Sequence, residues 1–293
     1  MSYYKILGFE KEPFSTSPDP EFLYMSKEHE SALTNALIEL NLRRGLNVIL
    51  GEIGTGKTTL SRKLVQELSK RDKFLFQIIM NPSFENEKQI MASIMRNFNM
   101  PIVNYDSEKS LFDMRDRLEK FLLNKTLSEN KTVILIIDEA QKLNEESLET
   151  LRILLNYETN EFKLVQILLL GQIELYSKIA AIQNFYDRIN FKFTLFPLDL
   201  DETRNMVNFR LEKAGYKGKS HLFLDSAIRE IFQYTNGYPR RVTLLCHKAL
   251  KNLILRNKYV VDGNMIKDIL QEEERLGWQR TIKSAQRNNS FCS

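Results

Sequence analysis

Gly51, Gly56, Lys57 and Thr58 satisfy the spacing G-x-x-x-x-G-K-[ST] within "GEIGTGKTTL", directly after the apolar run "LNVIL". Glycines at these places free the backbone to turn successive N–H groups toward phosphate oxygens, and a helix starting there aims its positive dipole end at the same point. Lys57 is then expected to reach the β and γ phosphates, and the Thr58 hydroxyl to bind Mg²⁺. The whole loop, Gly51, Glu52, Ile53, Gly54, Thr55, Gly56, Lys57, Thr58 and Thr59, is the candidate nucleotide cradle, with ATP and Mg²⁺ as its cofactors. The alternative is a glycine-rich strand-to-helix turn with a chance lysine. The preceding strand and the following "TTLSRKLVQELSK" helix argue against it.

A second chemical element is "VILIIDEAQ", where five aliphatic residues end in Asp138 and Glu139. Ligands of open α/β sheets bind at the carboxyl ends of strands, so these carboxylates are expected level with the phosphate loop. Asp138 would hold Mg²⁺ through water, and Glu139 would polarise the water that attacks the γ-phosphate. A helix cap plus a surface acid is the plainer alternative. Gln172 ends another aliphatic run, "ILLLGQ", where its amide can contact the γ-phosphate, align water, or simply cap a loop. In "YTNGYPRRVTLL", Gly237 ends one helix and Pro239 starts the next. Arg240 and Arg241 fall in that first turn, where cations oppose the helix dipole by a few tenths of a kcal/mol. A phosphate contact from Arg240 would offset that cost.

The elements that must position these groups are legible as five buried strands, 46–50, 73–80, 132–137, 163–170 and 190–196. Helical spacing lies between them, as in "EKQIMASIMRNF", "LFDMRDRLEKFLL" and "EESLETLRILLNY". Continuous apolar strands separated by helices predict an α/β fold with a mostly parallel, five-stranded sheet covered on both faces, the P-loop NTPase arrangement. After Pro197 the strands stop, and helices are expected over 201–213, 225–235, 239–256 and 263–274. The predicted domains are an α/β core over 1–198 that includes an opening segment 1–30, a helical lid over 199–275, and a basic, flexible tail over 276–293.

The chain has 293 residues and is 43% hydrophobic, enough for a large core. It carries neither a signal-peptide-like opening nor an apolar run long enough to span a bilayer, so a cytoplasmic location is expected. Cys246 and Cys292 predict no disulfide framework, and the three scattered histidines, His29, His221 and His247, no metal cluster. The net charge of +4 equals the contribution of Arg275, Arg280, Lys283 and Arg287 after Glu274. The body is therefore neutral and sets up no general field for a polyanion.

Taken together, these residues resemble the AAA+ ATPases, and more narrowly the ExeA/GspA-type secretion ATPases with their TnsC- and MuB-like transposition relatives. The resemblance starts at "YKILGFEKEPFSTSPDPEFLY" and continues through "GEIGTGKTT", "IIDEAQ", "VQILLLGQIEL" and "NGYPRRVTLLC". It implies the sensor-1 place for Gln172 and the sensor-2 place for Arg240. Arg188, in "NFYDRINFKF", matches the family's "QRI" arginine and would be a finger inserted into a neighbouring subunit's site, which implies a homo-oligomeric ring or filament. Asp187 replaces the family's glutamine and is expected to pair with Arg188 in the free subunit. Tyr4, Phe14, Pro18 and Pro20 would lie over the adenine or pack against the core.

Three functions follow as expectations. The first is an ATPase serving a secretion or pilus-type envelope system, attached to the inner membrane through a protein partner, since the family's usual membrane span and wall-binding domain are not seen before Ser293. The second is a transposition-type regulator on duplex DNA, with Arg240, Arg241, Lys248, Lys251, Arg256 and Lys258 as phosphate contacts. The third is a nucleotide-gated interaction switch with slow turnover.

Overall fold

A computed structural model describes residues 3–17, 19–101, 109–218 and 221–276. Pro18, Arg280, Lys283, Arg287 and Cys292 lie outside the described residues, as does the predicted tail beyond Leu276. The chain divides into two compact units: Ser17–Pro197, and Met1–Thr16 together with everything from Leu198 onward.

In chain order the helices are α1 (Tyr3–Ile6), α2 (Lys27–Leu42), α3 (Lys57–Leu68), α4 (Glu87–Asn97), α5 (Lys109–Leu123), α6 (Glu145–Leu154), α7 (Glu174–Ala180), α8 (Gln183–Tyr186), α9 (Leu200–Lys213), α10 (Asp225–Thr235), α11 (Pro239–Leu255) and α12 (Gly263–Arg275). The strands are β1 (Leu46–Gly51), β2 (Phe74–Ile79), β3 (Thr132–Ile137), β4 (Val165–Gly171) and β5 (Ile189–Leu195). Each strand lies within two residues of its sequence-based expectation.

The sheet has the order β2-β3-β4-β1-β5 and every pairing is parallel. Alternation along each strand assigns side chains to two layers. Ile134, Ile136, Leu168 and Leu170 join Ala32, Ala36 and Leu40 of α2 and Leu60, Leu64 and Leu68 of α3 in one core. Val133, Leu135, Ile137, Ile167 and Leu169 face the other layer, where α4 supplies Ile90, Met91, Ile94 and Met95 and α6 supplies Leu148, Leu151 and Leu154. Burial of each such Leu, Ile or Val stabilises the sheet by about 1.5–3 kcal/mol. That double coverage is why "TVILII" shows no polar alternation: all six of its positions are buried.

The helical unit contains α1 and α9 to α12. Asp199 and Glu202 close a reciprocal capping box that starts α9. The boundary chain is pinned at Leu198, whose N–H donates to the Gly237 carbonyl at 3.0 Å. Gly237 adopts φ +72°, and a Cβ there would sit 1.8 Å from the Leu198 carbonyl oxygen, so only glycine fits.

One expectation about organisation is corrected. The first sixteen residues group with the helical unit and not with the α/β core. Phe14 is buried edge-on to Phe223, and Arg210 of α9 donates from Nε to the Pro13 carbonyl and from Nη2 to the Ser15 carbonyl, each at 2.8 Å. Pro20 belongs to the other unit, where it opens a 3-10 turn, Pro20–Phe22, capped by Asp19 and packed against α3.

Candidate nucleotide site

Since all five strands run the same way, the residues that follow β1, β3 and β4 emerge on one side of the sheet. The loop after β1 turns through Gly54 at φ +91° and Gly56 at φ +102°, values that L side chains rarely adopt. Gly51 is also sterically required, for a Cβ there would lie 2.7 Å from the Thr55 hydroxyl oxygen. Gly56 opens α3 with no side-chain cap, which leaves the amides of the first turn available to an anion. Lys57 is 6% exposed and folds its ammonium back onto the carbonyls of Gly51 at 2.7 Å and Glu52 at 2.9 Å. Burial lowers its pKa, opposed by the negative charges of Glu139, Asp138 and Glu52. Thr58 and Thr59 are half-buried in the same turn, and Ile53 is exposed at the loop's tip.

At the end of β3, Asp138 is 1% exposed. One carboxylate oxygen, Oδ1, accepts the Glu139 N–H at 2.9 Å, while Oδ2 is buried and has no partner among the described residues. Burial raises the Asp138 pKa, opposed by the hydrogen bond from the Glu139 amide, by the neighbouring Thr58 hydroxyl and by the nearby Lys57 charge. An orphaned buried carboxylate oxygen beside a threonine hydroxyl is a set of hard oxygen donors, and it fits Mg²⁺. Glu139 adopts φ 55° and ψ 35°, a left-handed backbone that costs a non-glycine residue about 1 kcal/mol or more and is typical of functional sites. Its half-buried carboxylate accepts from Gln141 Nε2 at 2.7 Å.

Two residues that the sequence did not single out complete this end of the sheet. His29 on α2 lies against the phosphate loop, with Nε2 3.0 Å from the Thr55 carbonyl oxygen. Gln141, in the 3-10 turn Ala140–Lys142, bridges the carboxylate of Glu139 and the backbone of Gln172. Gln172 is half-buried immediately after β4, so Lys57, Thr58, Asp138, Glu139 and Gln172 share one end of one unit.

Arg188 sits elsewhere. It immediately precedes β5, whose first residue, Ile189, pairs with Leu46, whereas Gly51 pairs with Leu195 at the far end. Six residues of strand put Arg188 about 20 Å from its own phosphate loop. The expected pair with Asp187 does not form: Asp187 accepts from Gln183 Nε2 at 2.8 Å, one helical turn earlier. Adjacent residues at a helix end diverge, while residues four apart face one another. Arg188 instead lends a weak charge to Glu149, which Arg152 dominates through a bidentate bond. Arg240 lies in the helical unit, exposed in the first turn of α11 behind Pro239, and Arg241 stacks over the Tyr238 ring at 4.6 Å.

The AAA domain family matches residues 41–179. General secretion pathway protein A of Aeromonas hydrophila is 36% identical over 267 residues, covering 90% of this chain and 47% of that protein. Residues 41–179 are an AAA domain, set on the AAA+ P-loop fold. An uncharacterized HTH-type transcriptional regulator of Methanocaldococcus jannaschii is 25% identical over 215 residues, 68% of this chain and 52% of its own. This AAA+ chain thus spans about half the length of the curated relatives it matches. Among solved structures, the Aeropyrum pernix ORC2 protein superposes with a TM-score of 0.64 at 18% identity, covering 92% of this chain and 75% of that one. Drosophila ORC bound to DNA gives 0.62 at 16% identity, with 90% and 66% covered. At such identity the likeness establishes the AAA+ fold alone. Among the described residues no helix is long and apolar enough to cross a membrane.

Proposed function

We propose that this AAA+ chain binds ATP with Mg²⁺ and hydrolyses it in a site completed by a second copy of itself. The observation that carries the reading is the pairing of a buried orphan oxygen on Asp138 with a buried Lys57 ammonium at the mouth of an uncapped helix. Such a site presents charges of both signs to a ligand that must be a metal-bound polyanion.

The loop amides of residues 54–58 and Lys57 would hold the β and γ phosphates. Thr58 directly, and Asp138 through water, would hold Mg²⁺, which supplies charge neutralisation on the phosphate oxygens when bound. Glu139 accepts the proton of the attacking water as its oxygen bonds to the γ-phosphorus. The bond to the bridging oxygen breaks and its electron pair leaves with ADP. Gln172 aligns that water, and Arg240 contacts a phosphate. Arg188, about 20 Å from its own loop, serves the site of a neighbouring subunit and makes turnover depend on a head-to-tail assembly.

The process served is the operation of a secretion or pilus-type envelope system, through a protein partner, as the similarity to general secretion pathway protein A suggests. Charge pairing within the helical unit favours this over a duplex-DNA role. Lys248 pairs with Glu273, Arg256 with Asp268 and Lys258 with Asp262, so three of the six basic residues that DNA would need are already matched by acids.

The test is ATP turnover as a function of protein concentration, with and without duplex DNA. The reading expects a rate that rises faster than linearly, collapses in Arg188→Ala, and is indifferent to DNA. A linear rate unaffected by Arg188→Ala removes the shared site, and strong salt-sensitive stimulation by DNA replaces secretion with nucleic-acid regulation.

A further inference from the structure

Gln141 connects two residues of the site that lie on different strands. Its Nε2 donates to Glu139 Oε2 at 2.7 Å, and its Oε1 accepts the backbone N–H of Gln172 at 3.1 Å. A carboxylate can only accept and a backbone amide can only donate, so these two partners fix which way the Gln141 amide faces. The turn that carries it is itself held: Lys178 of α7 donates to the carbonyls of Gln141 at 2.6 Å and Leu143 at 3.0 Å. Gly171 lets the turn lie close to β4, for a Cβ there would meet Leu175 Cδ2 at 2.7 Å and the Gln141 nitrogen at 3.3 Å.

The consequence concerns where Glu139 can point. Its backbone leaves the strand in a left-handed turn, and a glutamate with three rotatable side-chain bonds would sample many positions from there. The bond from Gln141 uses one carboxylate oxygen and leaves the other to receive a proton. Through Gln172, the same amide is anchored to the end of β4, whose Gly171 pairs with Leu50, the residue before the phosphate loop. We propose that Gln141 is a positioning residue that holds the Glu139 carboxylate in register with the phosphate loop by clamping it to the backbone of Gln172. This rests on the hydrolysis reading above and adds a residue and a role to it.

The experiment is a double-mutant cycle on the full chain, with steady-state ATPase kinetics, ATP affinity by calorimetry and thermal unfolding for each variant. Gln141→Ala is expected to lower kcat about 10- to 100-fold, the scale of a catalytic group displaced by an ångström, while the KM and Kd for ATP change less than about threefold. Gln141→Glu keeps an acceptor for the Gln172 amide but faces Glu139 with a like charge, and it is expected to lower kcat at least as far with an unchanged unfolding temperature. In a Glu139→Gln background, Gln141→Ala is expected to change the residual rate less than about twofold, because its effect passes through the missing carboxylate. Full activity in both Gln141 variants, or losses that multiply in the double variant, overturns the inference. Should Gln141→Ala not fold, Gln141→Glu decides alone. An active parent with active variants counts against this inference only, whereas a parent that binds ATP without hydrolysing it overturns the underlying reading as well.

Discussion

His29 holds the carbonyl of Thr55, inside the phosphate loop, at 3.0 Å from Nε2. That contact requires Nε2 to carry the proton, which leaves Nδ1 to accept from the Ser26 hydroxyl at 2.7 Å, while Ser26 Oγ caps α2 by accepting the His29 N–H. The ring is thus neutral, 1% exposed, and matched at both nitrogens. It also limits Gly56, where a Cβ would lie 2.9 Å from Nε2.

Stability is expected to fall in mild acid because of this ring. Burial lowers the His29 pKa below the ordinary 6.5. Between 6.5 and the lowered value the unfolded chain binds more protons than the folded one, so stability present above pH 6.5 is lost as the pH falls through that window, by up to about 1.4 kcal/mol per pH unit. His247 shifts in the same direction, so the parent must be compared with His29→Gln. Urea midpoints at pH 7.5 and pH 5 should converge less in the parent than in the variant; equal pH dependence in the two would dismiss the neutral brace.

Gly237→Ala is expected to destabilise the helical unit by more than about 2 kcal/mol, since the new methyl would occupy the space of the Leu198 carbonyl in a backbone that disfavours L residues. A drop of several degrees in the unfolding temperature of that unit checks it. An unchanged transition would mean the Leu198–Gly237 contact is dispensable.

Lys57→Ala is expected to lower kcat/KM for ATP by about 10²–10³-fold, the scale of losing one preorganised electrostatic donor. Lys57→Arg should fare little better, because a planar fork does not replace the compact, buried point charge that bonds the Gly51 and Glu52 carbonyls. Steady-state ATPase kinetics measure the loss, and near-parental kcat/KM in the arginine variant would contradict the need for a point charge there.

Glu139→Gln is expected to keep ATP affinity within a few-fold and to reduce turnover by about 10²–10⁴-fold, the contribution of a general base. Single-turnover hydrolysis separates the two. Loss of binding and rate together would reassign Glu139 to the grip on nucleotide.

Much of this end of the molecule was legible because its chemistry is local in sequence. β3 reads as a strand since both faces are covered, and the polar residues that end such strands stand out against aliphatic runs. The phosphate loop declares itself through glycines whose φ values only glycine tolerates easily. What stayed hidden depends on contacts between distant segments. Nothing in the spacing around His29 announces a bond to a carbonyl twenty-six residues later, and Gln141 reaches an amide thirty-one residues away. The Asp187 expectation failed for a different reason, since neighbours in sequence are not neighbours on a helix end.

The affiliation of the opening sixteen residues bears on any attempt at dissection. A fragment starting at Leu198 would lack Phe9 and Phe14, both buried, and would strip Arg210 of two carbonyl acceptors. One ending at Pro197 would carry those aromatics without their covering. The helical body is discontinuous in sequence, so a faithful excision must splice the amino-terminal arm to the carboxyl-terminal helices, and a simple cut at the visible boundary should yield two poorly soluble halves.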